Sequence, residues 1–108
     1  MTKTETRSEG RIAVHHLKCV PSVFKEKRIN NKPWEFRKND RDFENGDMII
    51  EREWSKESGY TGEEIWETIS LIVDGGQFGI PEGYVVMTTN NHGHCIDSEL
   101  SNRNPQSY

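Results

Sequence analysis

The chain has 108 residues, of which 31% are hydrophobic and 30% are charged, and its formal net charge is −4. A chain of this length is expected to form one domain, and its modest apolar content excludes a large hydrophobic core. No apolar stretch is long enough for a transmembrane helix, and no leader resembles a signal peptide. We therefore expect a cytoplasmic protein that makes no contact with membranes.

Both ends of the chain are polar and lack apolar periodicity. We expect a disordered N-terminal tail over residues 1–10, a folded domain over residues 11–89, and a mostly disordered C-terminal tail over residues 90–108. The two cysteines, Cys19 and Cys95, are far apart in the sequence, which favours reduced thiols over a disulfide.

The segment NHGHC at residues 91–95 offers three candidate metal ligands within four positions. A closed zinc site needs four ligands, and no fourth is evident nearby. We therefore expect neither a metal site nor a cofactor.

Charge is distributed unevenly along the chain. Residues 11–41 hold nine Lys or Arg against three acids, a net charge of +6, whereas residues 42–108 hold three bases against thirteen acids, a net charge of −10. If the two parts occupy different faces, one side attracts phosphate while the protein stays acidic overall. The alternative is that the two parts interleave and pair with each other.

The apolar pattern predicts a mixed α+β fold. Strands are expected at residues 11–19, 34–37, 48–54, 64–73 and 84–88. A helix is expected over residues 21–29, since Pro is tolerated in a first turn and Asn30-Asn31 tolerates the left-handed conformation that ends helices. Asn45-Gly46 predicts a tight turn, and residues 58–62 a hairpin loop. Together they predict a small mixed β-barrel of five to six strands, with the helix against its mouth.

Strand alternation assigns the polar residues of the second strand to one face. Glu35 and Arg37 share that face, whereas Trp34 and Phe36 share the opposite one. We expect the two aromatic side chains to be core, and the two charged ones to line a solvent-reachable cleft. An internal Glu35–Arg37 ion pair that merely closes the cleft is the alternative.

The most unusual stretch is KPWEFRKNDRDFENGD at residues 32–47. Its Lys-x-x-Glu-x-Arg pattern follows a helix and precedes a Gly-Asp turn. With REW at residues 52–54, YTG at residues 60–62 and GYVV at residues 83–86, it resembles the ASCH domain of the PUA-like superfamily. It is most similar to an uncharacterised ASCH-like family common in phage and bacterial genomes, over residues 15–88. One departure is that Asn30 stands where the family motif opens with glycine.

The resemblance implies a PUA-like pseudobarrel with a charged cleft, for which RNA binding has been proposed. The expected ligand is RNA or a modified nucleoside, bound by a monomer. In this cleft the cations would hold phosphate, Arg37 through a bidentate fork, and Glu35 would accept from a base edge. The predicted ligand-binding residues are Lys18, Lys32, Glu35, Arg37, Lys38, Arg41 and His16.

Two other functions stay open. Some small ASCH proteins are amidohydrolases that act on an acetylated cytidine, and their catalytic lysine would match Lys32. Their nucleophilic threonine falls where this chain has Glu35, and a carboxylate nucleophile would form an anhydride, so the remaining enzymatic route is Glu35 acting as a base. The third hypothesis is a phage-related protein-interaction module, which contacts a protein partner through the acidic part of the chain.

Overall fold

The computed structural model describes residues 12–96. Residues 1–10 and 97–108, which the sequence assigns to disordered tails, lie outside the described residues. One helix and five strands follow in the predicted order: β1 (Val14–Cys19), α1 (Pro21–Arg28), β2 (Trp34–Lys38), β3 (Met48–Ser55), β4 (Gly59–Asp74) and β5 (Tyr84–Ile96).

The strands form one mixed sheet in the order β1-β3-β4-β5-β2. β1 pairs with β3 in parallel, and the other neighbouring pairs are antiparallel. The sheet curls into a half-barrel with α1 packed against β3 and β5. The predicted fold class, a small α+β barrel-like domain with one helix, is confirmed. Within the described residues the curl stops short of closure, because β1 and β2 remain as edge strands.

Two strands are longer than the sequence predicts. The hairpin turn lies at residues 56–58, so Gly59 to Gly62 belong to β4 and not to a loop; Trp54 pairs with Tyr60 across it. At the other end, β5 continues to Ile96, past residue 89, where the sequence places the end of the folded domain. This segment lacks apolar periodicity, yet the first half of β4 supplies a partner for its backbone.

The helix begins at the predicted residue and ends at Arg28, one residue before the predicted end. Pro21 occupies its first turn, and the carbonyl of Val20 accepts from the amide of Phe24. Asn30 adopts a φ of 61° and its amide donates to the carbonyl of Lys27. Asn30 thus takes the left-handed conformation that commonly ends helices.

The core lies on the concave side of the sheet. The predicted alternation of β1 is confirmed, since Ala13, His15, Leu17 and Cys19 are buried. Two apolar clusters fill this side: the first comprises Leu17, Phe43, Ile49, Ile69, Val85 and Met87, and the second, beneath α1, comprises Cys19, Phe24 and Ile65.

The prediction that Trp34 and Phe36 are core residues is wrong. Their faces alternate as expected, but Trp34 is 45% and Phe36 is 47% exposed, whereas Glu35 is buried. The concave side at β2 is polar because it meets buried charged groups from other elements. The outward rings pack on the surface instead: Phe36 stacks on Tyr84 with ring centroids 5.5 Å apart.

The Gly-Asp turn is tied to β1 by a buried carboxylate. Asp47 accepts from the amide of Ala13 at 3.1 Å and from the amide of Glu44 at 3.0 Å. Its Oδ2 also lies 2.9 Å from Nε2 of His15. Gly46 has a φ of 90°, which brings this carboxylate into position without steric cost.

We predict that Asp47→Ala lowers the free energy of unfolding by about 3 kcal/mol or more. Each buried donor left without an acceptor costs about 1 to 3 kcal/mol, and Asp47 serves two backbone amides and the ring of His15. Urea denaturation measures the change. Glu82→Ala, at an exposed acid, is the control; equal stability of the two variants would contradict the assignment.

Candidate ligand-binding cleft

The opening between the edge strands β1 and β2 contains a cavity of about 300 Å³. We call it the Lys32 cavity. The structure brings four of the predicted site residues together on its wall, namely Lys18, Lys32, Glu35 and Arg37. Its other lining residues are Cys19, Val20, Val23, Phe36 and Glu51.

A second cavity of about 300 Å³ lies against the same two strands. We call it the Arg41 cavity. Two further predicted site residues, Lys38 and Arg41, line it together with Leu17, Phe36, Arg37, Asp40, Phe43 and Tyr84. Phe36 and Arg37 therefore belong to the walls of both cavities.

His16, the last predicted site residue, lines neither cavity. It lies on the outward face of β1, and its carbonyl accepts from Nη1 of Arg41 at 2.7 Å. The inward histidine is His15, which is held by Asp47. The part of His16 that contributes to the opening is thus its backbone carbonyl, which positions Arg41.

The cations of the Lys32 cavity are held by aromatic rings and by backbone. Nζ of Lys18 lies 4.3 Å from the ring centroid of Trp54, and Nζ of Lys32 lies 4.3 Å from that of Trp34. Lys32 also donates to the carbonyl of Trp34 at 3.1 Å. These contacts leave both ammonium groups beside the opening.

Beneath the Lys32 cavity lies a buried lysine surrounded by three buried carboxylates. Nζ of Lys27 reaches inward from α1 and lies 2.8 Å from Oε2 of Glu35, on β2. It lies 3.1 Å from Oε2 of Glu67 on β4 and 3.6 Å from Oε2 of Glu51 on β3. We call these four residues the Lys27 cluster; it joins the helix to three of the five strands.

Further contacts complete the cluster. Nζ of Lys27 also lies 3.2 Å from the carbonyl of Lys32 and 3.3 Å from that of Trp34. Nε of Arg37 donates to Oε1 of Glu35 at 2.9 Å. The predicted internal ion pair thus exists, yet Arg37 is one-third exposed and still lines both cavities.

The carboxylates control the protonation of the cluster. Burial lowers the pKa of Lys27, but Glu35, Glu51 and Glu67 raise it by more, so the ammonium is retained. Burial also raises the pKa of Glu35, but the hydrogen bond with Glu51 and the charges of Lys27 and Arg37 bring it down to about 2. Glu35 is therefore ionised at neutral pH.

Glu51 behaves in the opposite way. Burial raises its pKa well above the usual range, and the hydrogen bond to Glu35 and the charge of Glu35 raise it further, against the opposing charge of Lys27. No described group donates to either oxygen of Glu51. Burial without a donor therefore favours the protonated, neutral form of Glu51.

The cluster is a poor catalytic centre and a crowded metal site. A carboxylate with a pKa of about 2 is a weak general base, which disfavours Glu35 in the hydrolase hypothesis. Burial, with the charges of Glu51 and Glu35, raises the pKa of the Cys19 thiol to about 12, so it stays protonated. Three carboxylate oxygens lie within 4.8 Å of one another, but the ammonium of Lys27 already lies among them.

Sequence reasoning missed Lys27, Glu51 and Glu67 as parts of this site. A signal was present, because the alternation that buries Ile65 and Ile69 also buries Glu67. Lys27 follows Phe24 by three positions, on the apolar face of α1.

Comparison with protein families gives one match. The model of a domain of unknown function, DUF3850, matches residues 14–89. The chain belongs to the DUF3850 family. This match covers the helix, β1 to β4, and the part of β5 that pairs with β2, and so includes both cavities and the Lys27 cluster. A search of curated proteins found no match. Among the described residues of this DUF3850 domain, no helix is long and apolar enough to cross a membrane.

We predict that Lys27→Met lowers the free energy of unfolding by about 3 to 5 kcal/mol, because removing one partner leaves buried charges uncompensated. Adding Glu35→Gln and Glu67→Gln to this variant should restore part of the loss. Chemical denaturation measures both effects, with Lys25→Met, at an exposed lysine of the same helix, as control. A triple variant less stable than Lys27→Met would contradict the charge argument.

We predict that Glu51→Gln raises stability at pH 8 and changes it less at pH 5. A pKa raised above its ordinary value of 4.5 means that the stabilisation is complete below that pH and is lost as pH rises towards the raised pKa. The side-chain amide of glutamine is a neutral hydrogen-bond donor at every pH, so the variant does not lose this stabilisation. Each unit by which folding raises the pKa of Glu51 corresponds to about 1.4 kcal/mol of unfolding free energy that is lost at high pH.

Denaturant titrations at the two pH values test this, with Glu57→Gln, at an exposed position, as control. Both pH values lie above the window in which the lowered pKa of Glu35 acts, since that contribution is lost as pH falls from 4.5 towards about 2. A Glu51→Gln variant that loses stability at pH 8 would show that ionised Glu51 is required.

Proposed function

We propose that the opening between β1 and β2 binds RNA or a modified nucleoside in the cytoplasm, as in an ASCH domain of the PUA-like superfamily. The observation that carries the proposal is the convergence of Lys18, Lys32 and Arg37 on one cavity of about 300 Å³ that Phe36 also lines. Cations beside an exposed ring are the combination that binds phosphate and stacks on a base.

The phosphate component rests on the charges of the opening. Five cations line the two cavities, namely Lys18, Lys32, Arg37, Lys38 and Arg41. The acids at the same opening offset them only in part. Glu35 is already paired with Lys27 and Arg37, burial favours the neutral form of Glu51, and Asp40 is the one exposed acid among the lining residues. A chain with a net charge of −4 thus presents a cationic site.

Glu35 has a positioning role in this proposal. Its side chain is only 5% exposed, and its two oxygens are engaged by Lys27 and by Arg37. Because Oε1 accepts from Nε of Arg37, the two terminal nitrogens of the guanidinium are left to form a bidentate contact with phosphate. We therefore propose that Glu35 orients Arg37 and does not contact a base.

We predict that Arg37→Ala weakens binding of a fluorescent single-stranded RNA octamer by about tenfold or more, since a hydrogen bond to a charged group contributes about 1.5 to 3 kcal/mol. The affinity of Arg37→Lys should lie between that of the parent and that of Arg37→Ala, because lysine keeps the charge but cannot form the bidentate contact. Anisotropy at increasing salt measures affinity, and it should fall as salt rises.

The matched control is Lys56→Ala, at an exposed lysine of the β3–β4 turn. Thermal melting verifies that each variant is folded, because Arg37→Ala also removes a partner of Glu35. NMR titrations with nucleosides and modified nucleosides locate the contacts. Unchanged affinity in both Arg37 variants, or the absence of binding to every nucleotide ligand, would contradict the proposal.

A further inference from the structure

We propose that the ligand of this opening is a single-stranded oligonucleotide that places adjacent nucleotides in the Lys32 cavity and the Arg41 cavity. This inference rests on the proposed function and specifies its ligand. Arg37, which lines both cavities, contacts the phosphate between the two nucleotides.

The shared wall is the first observation behind this proposal. Phe36 and Arg37 line both cavities, so neither cavity is separated from the other by a full strand or a loop. Phe36 is 47% exposed, and Arg37 is oriented by Glu35. A guanidinium fork at the boundary between two cavities suits the phosphate that links two nucleotides.

The register of the two cavities is the second observation. On β1 the Lys32 cavity is lined by Lys18, whereas the Arg41 cavity is lined by the preceding residue, Leu17. On β2 the lining shifts forward by one residue, from residues 35–37 in the Lys32 cavity to residues 36–38 in the Arg41 cavity. The two cavities are therefore offset along the strands by about one residue, roughly 3.3 Å, and lie next to each other with Arg37 between them.

Each cavity also has the parts needed for a nucleotide of its own. The Lys32 cavity combines Lys18 and Lys32 with the apolar side chains of Val20 and Val23. The Arg41 cavity combines Lys38 and Arg41 with the rings of Phe43 and Tyr84. Each has a volume of about 300 Å³, the lower end of the range for ligand pockets.

The geometry favours a single strand over a duplex. Phe36 and Tyr84 present ring surfaces beside the Arg41 cavity, and only unpaired bases expose the faces that stack on them. An acidic peptide would satisfy the cations but would leave these rings without a planar partner.

The test compares ligands of increasing length. Isothermal titration of the full chain with adenosine and uridine series, as mononucleotide, dinucleotide, tetranucleotide and octanucleotide, should show affinity rising at least tenfold from the mononucleotide to the tetranucleotide. Matched deoxynucleotides show whether the 2′-hydroxyl contributes. Equal affinity of mononucleotide and tetranucleotide would overturn this inference and leave the proposed function standing.

A variant confined to one cavity sharpens the test. The side chain of Lys38 is exposed and makes no hydrogen bond or ion pair within the described part of the chain. The Lys38→Ala variant should therefore fold normally. It should weaken tetranucleotide binding about fivefold, reduce the salt slope by about 0.7 and have a smaller effect on the mononucleotide, which the Lys32 cavity can still bind. Lys18→Ala should weaken the binding of both ligands, whereas Lys56→Ala should weaken the binding of neither.

The remaining outcomes are also decisive. If Lys38→Ala leaves tetranucleotide binding unchanged, the Arg41 cavity is not a second subsite and the inference fails. Displacement of the tetranucleotide by an equally charged glutamate peptide would show binding by charge alone and would overturn it too. If no nucleotide of any length binds, the proposed function fails with it.

Discussion

The buried ammonium of Lys27 is the interaction on which the cleft depends. Glu35, Glu51 and Glu67 come from three different strands and could not be buried together without a compensating cation. By reaching inward from α1, Lys27 fixes the helix over the sheet at one place. The floor of the Lys32 cavity and the orientation of Arg37 both follow from that placement.

The open side of the half-barrel has the same origin. A strand that packs apolar groups inward can complete a barrel, but β2 turns Glu35 and Arg37 inward and leaves its aromatic rings outside. Because these inward groups pair with Lys27 and with each other, β2 is held beside the helix, and among the described strands it pairs only with β5. The two cavities occupy the space that a closing ladder between β1 and β2 would fill.

Local sequence signals predicted most of the fold. Proline and asparagine bounded α1, and alternation placed the strands and the inward face of β1, because these signals depend on neighbouring residues alone. The convergence of Lys18, Lys32, Glu35 and Arg37 was also predicted. The burial of the exposed rings Trp34 and Phe36 was predicted wrongly, since that prediction assumed that the core side of β2 is apolar.

The Lys27 cluster could not be derived in the same way. Periodicity places Lys27 on the apolar face of α1 and Glu67 on the inward face of β4, but glutamates far apart in the sequence give no sign that they meet around one lysine. Only the tertiary fold provides the common partner that makes their burial favourable. The same holds for the length of β5, whose last residues are ordered by backbone pairing with β4.

The cations of the opening also protect the edges of the sheet. On β1 the carbonyl of His16 is occupied by Arg41, and on β2 the carbonyl of Trp34 is occupied by Lys27 and Lys32. Unpaired strand edges are templates for edge-to-edge aggregation, which natural proteins suppress with charged side chains, especially lysine. The half-barrel can therefore remain open without recruiting a strand from another molecule.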